Sequence, residues 1–93
     1  MYRIVILYEE APDAEGYADH VERFCQPPNG QFRHGAVIGA PMGEPAHAYY
    51  AEFEFDDKKA FDEFVRSDQF MAAGRDVMDR GWQLSSIGFV ELA

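Results

Sequence analysis

The sequence predicts a small α+β domain, and three observations lead to this prediction. The 93 residues are too few for two separately packed cores, so we expect a single domain over residues 1–93. Hydrophobic residues make up 47% of the chain and aromatic residues 15%, which is the composition of a globular protein. Strand-like and helix-like apolar patterns follow one another in the order β-α-β-β-α-β. This order is typical of the ferredoxin-like arrangement, a four-stranded antiparallel sheet with its helices on one face.

The first strand and the first helix are separated by an acidic turn. Residues 2–8 alternate with apolar side chains on both faces, which indicates a buried strand. Asp13 stands at a helix N-cap position, and an apolar stripe of helical period follows it over residues 17–25. Because Pro27 and Pro28 cannot continue a helix, we expect the helix to end before them.

Turn and cap residues also divide the rest of the chain. The remaining strands are predicted over 32–38, 47–55 and 84–92. Asp56 and Asp57 supply the N-cap of a second helix, which breaks and restarts at Ser67. Gly81 is expected to end that helix because glycine readily adopts the left-handed conformation.

Helices on one face of the sheet leave its other face uncovered. Both sets of side chains in the first strand are apolar, and so are most of those in the third strand. We therefore expect an uncovered, aromatic-rich sheet face, larger than the apolar patch that a monomer usually exposes. A second copy of the chain is the simplest way to bury this face, so the sequence predicts a homodimer that pairs sheet against sheet.

The charge balance excludes several classes of partner. Eight Lys and Arg stand against 17 Asp and Glu, a net charge of −9, so nucleic acid and anionic membrane surfaces are poor partners. No apolar run approaches the roughly 20 residues of a membrane helix, and the N-terminal apolar stretch is interpreted as a strand, not a signal peptide. One cysteine, Cys25, excludes an internal disulfide and fits a cytoplasmic location.

Three segments of the chain resemble the EthD family of dimeric α+β barrel proteins. IVILYEEAPDAEGY is similar to that family's first strand and acidic turn. HAYYAEFEFDDKKAFDEFVRSDQF is similar to its third strand and helix start, and AAGRDVMDRG resembles its last helix. The resemblance implies a dimeric α+β barrel of two sheets, which agrees with the fold predicted from the patterns.

The resemblance implies a set of possible functions, and the chain departs from the family's sequence pattern at one position. Many family members carry a histidine before a small residue and proline at the end of the first helix, where this chain has Cys25. Asp76 matches the acidic residue of the later helix and is expected at the substrate site. Similar barrels include cofactor-free monooxygenases, lactone isomerases, polyketide cyclases and haem-degrading enzymes, and the fold does not choose among them. We expect no bound cofactor and no metal.

Histidines are the natural acid–base candidates because imidazole titrates near neutral pH. His34 is the leading candidate for a general base. His20 is expected at the edge of the first helix's apolar stripe, and His47 on the third strand. For each of the three, the alternative is a polar residue at the margin of an element.

Other side chains could hold a substrate. Tyr8 is a candidate catalytic hydroxyl, and Tyr49 a candidate substrate contact, because a tyrosine pairs an apolar ring with a hydroxyl. Trp82 could cap a pocket or pack under a loop. Arg33 is the candidate anion partner, although it faces away from His34 on the same strand. For Cys25, an inert buried thiol is favoured over a nucleophile.

Two hypotheses about function follow. The first is an enzyme, a cofactor-independent monooxygenase, isomerase or cyclase that acts on a small aromatic or polyketide-like molecule. The second is a non-catalytic dimeric protein that binds such a molecule or serves as an accessory to a catabolic or biosynthetic pathway. A cavity with at least two convergent polar side chains would favour the first hypothesis.

Overall fold

The computed structural model describes all 93 residues and confirms the predicted order of elements. Its strands and helices are β1 (Tyr2–Tyr8), α1 (Ala14–Phe24), β2 (Gly30–Ala36), β3 (Tyr49–Phe55), α2 (Lys58–Val65), α3 (Asp68–Asp79) and β4 (Leu84–Glu91). The strands form one sheet in the order β2-β3-β1-β4, and all neighbouring strands are antiparallel. The ferredoxin-like α+β fold is therefore confirmed.

The predicted helix boundaries agree with the capping side chains. The Asp13 carboxylate accepts a hydrogen bond from the Gly16 amide at 2.7 Å and begins α1. Asp57 begins α2 in the same way, and Ser67 begins α3 where the break was predicted. Gly81 follows α3 with a φ of +78°, which a glycine adopts without strain.

The second strand begins two residues before its predicted start. β2 spans Gly30–Ala36 because Gly30 pairs with Phe55 at the end of β3. A Cβ atom at residue 30 would lie 2.5 Å from the Phe55 ring, so this register needs a glycine there. The predicted strand 32–38 is too late by two residues, and Ile38 is 99% exposed beyond its end.

The helices cover the aromatic face of the sheet. Phe53 is only 1% exposed, and its ring packs against that of Phe64 in α2 at 4.8 Å between centroids. Ile4, Tyr8 and Phe55 of the same face are also buried in this core. The aromatic side chains of the sheet therefore form the interior of the protein, beneath α1, α2 and α3.

The prediction of an uncovered aromatic-rich face is wrong in its composition. The face opposite the helices carries four charged side chains that pair with one another, Arg3, Arg33, Glu52 and Glu54. Glutamates alternate with phenylalanines along β3, and the apolar stripes of the helices bury the phenylalanine set. The charged set is left on the open face, where Glu52 is nevertheless 6% exposed because its neighbours enclose it.

The edge strand β4 extends beyond the cover of the helices. Ile87 is 50% exposed and Phe89 57%, although both share the helix side of the sheet with Ile4 and Ile6. Phe61 of α2 reaches only the edge of Phe89, at 5.5 Å between ring centroids.

Among the helices, none is long and apolar enough to cross a membrane.

Candidate functional site

A cavity of about 310 Å³ lies between the sheet and the helices. β1, β2, β3, α1, α2, α3 and β4 all contribute to its wall, and of its fifteen lining residues only His20 and Gly74 are not hydrophobic. Its size and apolar wall suit a small organic molecule. His20 is the one imidazole in the wall.

His20 is hydrogen-bonded to a carboxylate from another helix. It is 2% exposed on α1, and its Nδ1 lies 2.8 Å from Oδ2 of Asp76 on α3. Its other ring nitrogen has no hydrogen-bond partner within the chain. The prediction that His20 lies at the edge of the apolar stripe is therefore wrong, since the ring is buried and lines the cavity.

Asp76 is held as an ion. Burial acts to raise its pKa, but the hydrogen bonds from Arg80 and His20 act more strongly together and lower the pKa below its usual value of 3.8. The Arg80 Nε donates to Oδ2 at 2.7 Å. An ionised carboxylate only accepts hydrogen bonds, so the proton of the bond to His20 belongs to Nδ1. In the neutral ring the Nε2 atom then carries the lone pair.

Two tyrosine hydroxyls meet beside the cavity. The hydroxyls of Tyr8 and Tyr17 are 2.9 Å apart and hydrogen-bonded, and both rings line the cavity. Burial raises the pKa of Tyr8 to about 12, and burial together with the bond to Tyr8 raises that of Tyr17 further. Both are neutral phenols near neutral pH and can donate or accept a hydrogen bond.

Trp82 packs against these groups instead of lining the cavity. Its ring lies 5.2 Å from Tyr17 and 5.5 Å from His20 between centroids, and Arg80 stacks over it at 5.4 Å. The structure therefore places Trp82 as a support for His20 and Tyr17, behind the wall of the cavity.

Cys25 also lines the cavity. It is the C-cap of α1 and has left helical geometry, with φ −113° and ψ 46°. Burial raises the pKa of the thiol to about 12, with Asp76 adding to the effect, so the sulfur is a neutral thiol near neutral pH.

His34, the leading candidate from the sequence, lies outside the cavity wall. It is exposed on β2, in a surface groove between α1 and β2 that we call the β2 groove, lined by Ala18, Val21, His34 and Tyr49. Its Nδ1 is hydrogen-bonded to the Tyr49 hydroxyl at 2.6 Å. The Tyr17 ring, 4.9 Å from that of His34, separates the groove from the cavity. Partial burial lowers the pKa of His34 below its usual value of 6.5.

The remaining candidates are not brought to either site. Arg33 points to the open face of the sheet, where its guanidinium lies 2.6 Å from Glu52. His47 precedes β3 in the loop, and its buried Nδ1 has no hydrogen-bond partner. No three His, Cys, Asp or Glu side chains are grouped so that they could hold a metal ion.

Known structures share this fold over nearly the whole chain. No protein-family model matches the sequence, and no curated protein matches it significantly. An ethyl tert-butyl ether D (EthD) family protein from Bacillus halodurans is similar with a TM-score of 0.75 and 23% identity, covering 100% of this chain and 99% of that one. The predicted resemblance to EthD proteins is thus confirmed at the level of the fold.

Two further structures have the same architecture. A protein from Jannaschia sp., described as dimeric and ferredoxin-like and of unknown function, is similar with a TM-score of 0.67 and 17% identity, over 98% of both chains. SnoaB of Streptomyces nogalater, described as a cofactor-independent oxygenase, has a TM-score of 0.55 and 16% identity, over 99% of this chain and 90% of its own. At these identities the similarity establishes the fold alone.

Sequence reasoning missed the pairing of His20 with Asp76. The two residues are 56 positions apart and on different helices, so no local spacing connects them. One signal was available, because His20 is one turn from Tyr17 and Phe24 on α1, and a histidine among such residues faces the core.

Proposed function

We propose that this chain is an EthD-like barrel domain that binds a small aromatic or polyketide-like molecule in the cavity and converts it without a bound cofactor. The observation that carries the proposal is the unpartnered ring nitrogen of His20 at the wall of an otherwise apolar cavity, with Asp76 behind it. The arrangement suits a general base whose tautomer is fixed by a carboxylate.

The chemistry that this geometry supports is proton abstraction. The Nε2 lone pair of His20 accepts a proton from an acidic C–H or O–H of the bound molecule, and the electron pair stays on that molecule as an enolate or phenolate. Asp76 stabilises the imidazolium that forms. An isomerisation returns the proton to another atom, whereas an oxidation requires dioxygen as co-reactant. The description of SnoaB as a cofactor-independent oxygenase is consistent with the second route.

The tyrosine pair suits the anion that proton removal creates. Tyr8 and Tyr17 line the same cavity as His20, and each hydroxyl can donate to an oxygen of the bound molecule if their mutual bond rearranges. Tyr8 therefore keeps its proposed role, and His20 replaces His34 as the proposed base. Asp76 holds that base. Tyr49 and Trp82 remain proposed as residues around the substrate, through their packing against Tyr17.

The second candidate is a non-catalytic binding or accessory protein. It is favoured by the same tyrosine pair, because the two hydroxyls already satisfy each other and the rest of the wall is apolar. Binding then needs only apolar burial. The two candidates differ in whether a bound molecule is chemically changed.

We also propose that the domain works as a homodimer through the sheet face opposite the helices. The neighbour from Jannaschia is described as dimeric. The four charges on this face form ion pairs with one another, and Val5 and Leu7 share the face with them, so a second copy can cover it without leaving an unpaired charge. A cytoplasmic location is part of the proposal, in keeping with the single thiol.

Analytical ultracentrifugation tests the dimer. Val5→Arg places a third positive charge on the proposed interface and should yield a folded monomer. Ile38→Arg adds the same charge at a side chain that is 99% exposed, beyond the end of β2, and should remain dimeric. A Val5→Arg protein that stays dimeric would place the interface elsewhere.

A thermal-shift screen against aromatic acids, quinones and small polyketide fragments tests the binding site. A ligand at about 100 times its dissociation constant adds about 2.7 kcal/mol, which raises the melting temperature by several degrees. Ala73→Phe fills the cavity and should abolish the shift, whereas Ala18→Phe fills the β2 groove and should leave it unchanged. No shift with any compound, in a folded protein, would contradict the proposal.

Mass spectrometry of each bound compound then separates the two candidates. A changed mass or a shifted double bond after incubation in air supports the enzyme. Full recovery of every bound compound supports the accessory protein.

A further inference from the structure

We propose that Arg80 is a positioning residue for the candidate base: by bridging Asp76 and Asp19, it keeps the lone pair of His20 directed at the cavity. This inference rests on the proposed function, since it concerns the same histidine. Arg80 does not itself line the cavity, so its contribution to the site passes through other side chains.

The first contact of Arg80 is with the partner of His20. The Arg80 Nε and the His20 Nδ1 both lie within hydrogen-bond distance of the same oxygen, Oδ2 of Asp76, at 2.7 and 2.8 Å. A carboxylate oxygen has lone pairs for two donors, so both bonds form together. The guanidinium keeps Asp76 ionised and holds its carboxylate in the rotamer that faces His20.

The second contact is with the helix that carries His20. The Arg80 Nη2 donates to the carboxylate of Asp19, the residue before His20 on α1. One guanidinium therefore joins α3 to α1 at the level of the histidine. This link fixes the separation of the two helices where Asp76 must reach His20.

The third contact reaches the ring of His20 through Trp82. The Arg80 guanidinium lies over Trp82, with 5.4 Å between its carbon and the ring centroid, and Trp82 meets the His20 ring edge to face. A planar guanidinium can bond two carboxylates and stack on an aromatic ring at once. The compact ammonium of a lysine cannot make all three contacts.

The loss of Arg80 should release the histidine tautomer. Asp19 and Asp76 would then be left without the cation between them, and Asp76 could take up a proton or turn toward solvent. With no acceptor fixed at Nδ1, the proton of the neutral ring would distribute between the two nitrogens, and Nε2 would lose its lone pair in part of the population.

Nitrogen NMR of ¹⁵N-histidine-labelled protein without any ligand tests the inference. The ring shifts of His20 are recorded above pH 8, beyond the usual titration range of histidine, in the wild type and in Arg80→Gln, Arg80→Lys and Arg23→Gln. Arg23 is the matched control, because it also pairs with Asp19 but makes no hydrogen bond or ion pair with Asp76 or His20. Circular dichroism establishes that each variant is folded.

The expected wild-type spectrum has a protonated Nδ1 and an unprotonated Nε2, and Arg23→Gln should reproduce it. In Arg80→Gln the two shifts should move toward each other, and Arg80→Lys should show a smaller movement in the same direction. A folded Arg80→Gln protein with wild-type shifts would overturn the inference. If Arg80→Gln does not fold, unchanged shifts in Arg80→Lys would overturn it.

This measurement is independent of the proposed function. Loss of the tautomer in Arg80→Gln supports the positioning role even if no compound in the screen binds. A bound and converted compound supports the function even if the tautomer is unaffected by Arg80.

Discussion

The cavity and the β2 groove each contain one histidine, and Tyr17 separates them. In the cavity, His20 is buried and hydrogen-bonded to an ionised carboxylate. In the groove, His34 is exposed and hydrogen-bonded to the neutral phenol of Tyr49. A carboxylate stabilises the imidazolium that a base forms, whereas a phenol gives only a neutral hydrogen bond. The two histidines thus differ in hydrogen-bond partner as well as in exposure, and we expect the one paired with a carboxylate to be the better base.

The largest difference between the two regions is expected in turnover. With a compound that the protein converts, His20→Gln should lower kcat by about 10²- to 10⁴-fold, the usual contribution of a general base. His34→Gln should leave kcat close to that of the wild type, because His34 is outside the cavity wall. Steady-state kinetics on both variants measure this, and a large loss in His34→Gln alone would reverse the assignment.

The two partners should also differ in their effect on stability. Asp76→Ala leaves the Nδ1 of a buried histidine without an acceptor, which costs about 1–3 kcal/mol of unfolding free energy. Tyr49→Phe removes a hydrogen bond to an exposed ring and should cost no more than about 0.5 kcal/mol. Urea denaturation at pH 7 gives both values, and equal costs would indicate that the two pairs are equally exposed to water.

The two regions should respond to acid in different pH windows. The pKa of Asp76 is lower in the folded protein than its usual value of 3.8. The ionised carboxylate therefore stabilises the folded protein fully above pH 3.8, and this stabilisation is lost as the pH falls through the pKa of Asp76 in the folded protein. The pKa of His34 is also lowered in the folded state, so His34 is protonated in the unfolded chain at a higher pH than in the folded protein. The free energy of unfolding therefore decreases as the pH drops below 6.5 and stops decreasing once the pH is below the pKa of His34 in the folded protein.

Variants assign each window to its residue. In urea denaturation series, His34→Gln should flatten the slope just below pH 6.5, and Asp76→Ala should reduce the slope below pH 3.8. The pKa values of Glu52 and Glu54 are lowered as well, so these two residues should account for much of the remaining decrease in unfolding free energy at acid pH. An unchanged profile in His34→Gln would show that its ring titrates alike in both states.

The smallest expected effects come from two glycines, one in the cavity wall and one next to His34 in β2. A Cβ atom at Gly74 in α3 or at Gly35 in β2 would meet no other atom within 4 Å. Gly74→Ala should stabilise the protein by about 0.5–1 kcal/mol, because alanine loses less backbone entropy in a helix. Gly35→Ala, in an edge strand, should gain less. Thermal denaturation of both variants measures the difference, and a destabilised Gly74→Ala protein would indicate a more crowded wall.

The fold could be predicted from the sequence because its signals are local. Asp13, Ser67 and Gly81 mark helix ends by their own chemistry, and alternation marks the strands. The choice of buried sheet face was missed. Both faces of β1 are apolar and give no signal, but β3 alternates phenylalanine with glutamate, and α2 and α3 pack against Phe53 on the phenylalanine side.

The candidate site depends on long-range contacts and was predicted less well. Tyr8 and Asp76 were expected near the substrate, and both lie at the cavity or directly behind its wall. Alternation along β2 places His34 and Arg33 on opposite faces of the sheet, as expected from the sequence, and neither side chain lines the cavity. The proposed base was missed because His20 acquires its partner only when α1 and α3 pack together.

The most direct test of the central claim is a crystal structure of the protein with the compound that gives the largest thermal shift. We expect the compound to lie in the cavity, with a polar atom about 2.6–3.2 Å from the Nε2 of His20. A compound bound in the β2 groove against His34, with the cavity unoccupied, would contradict it.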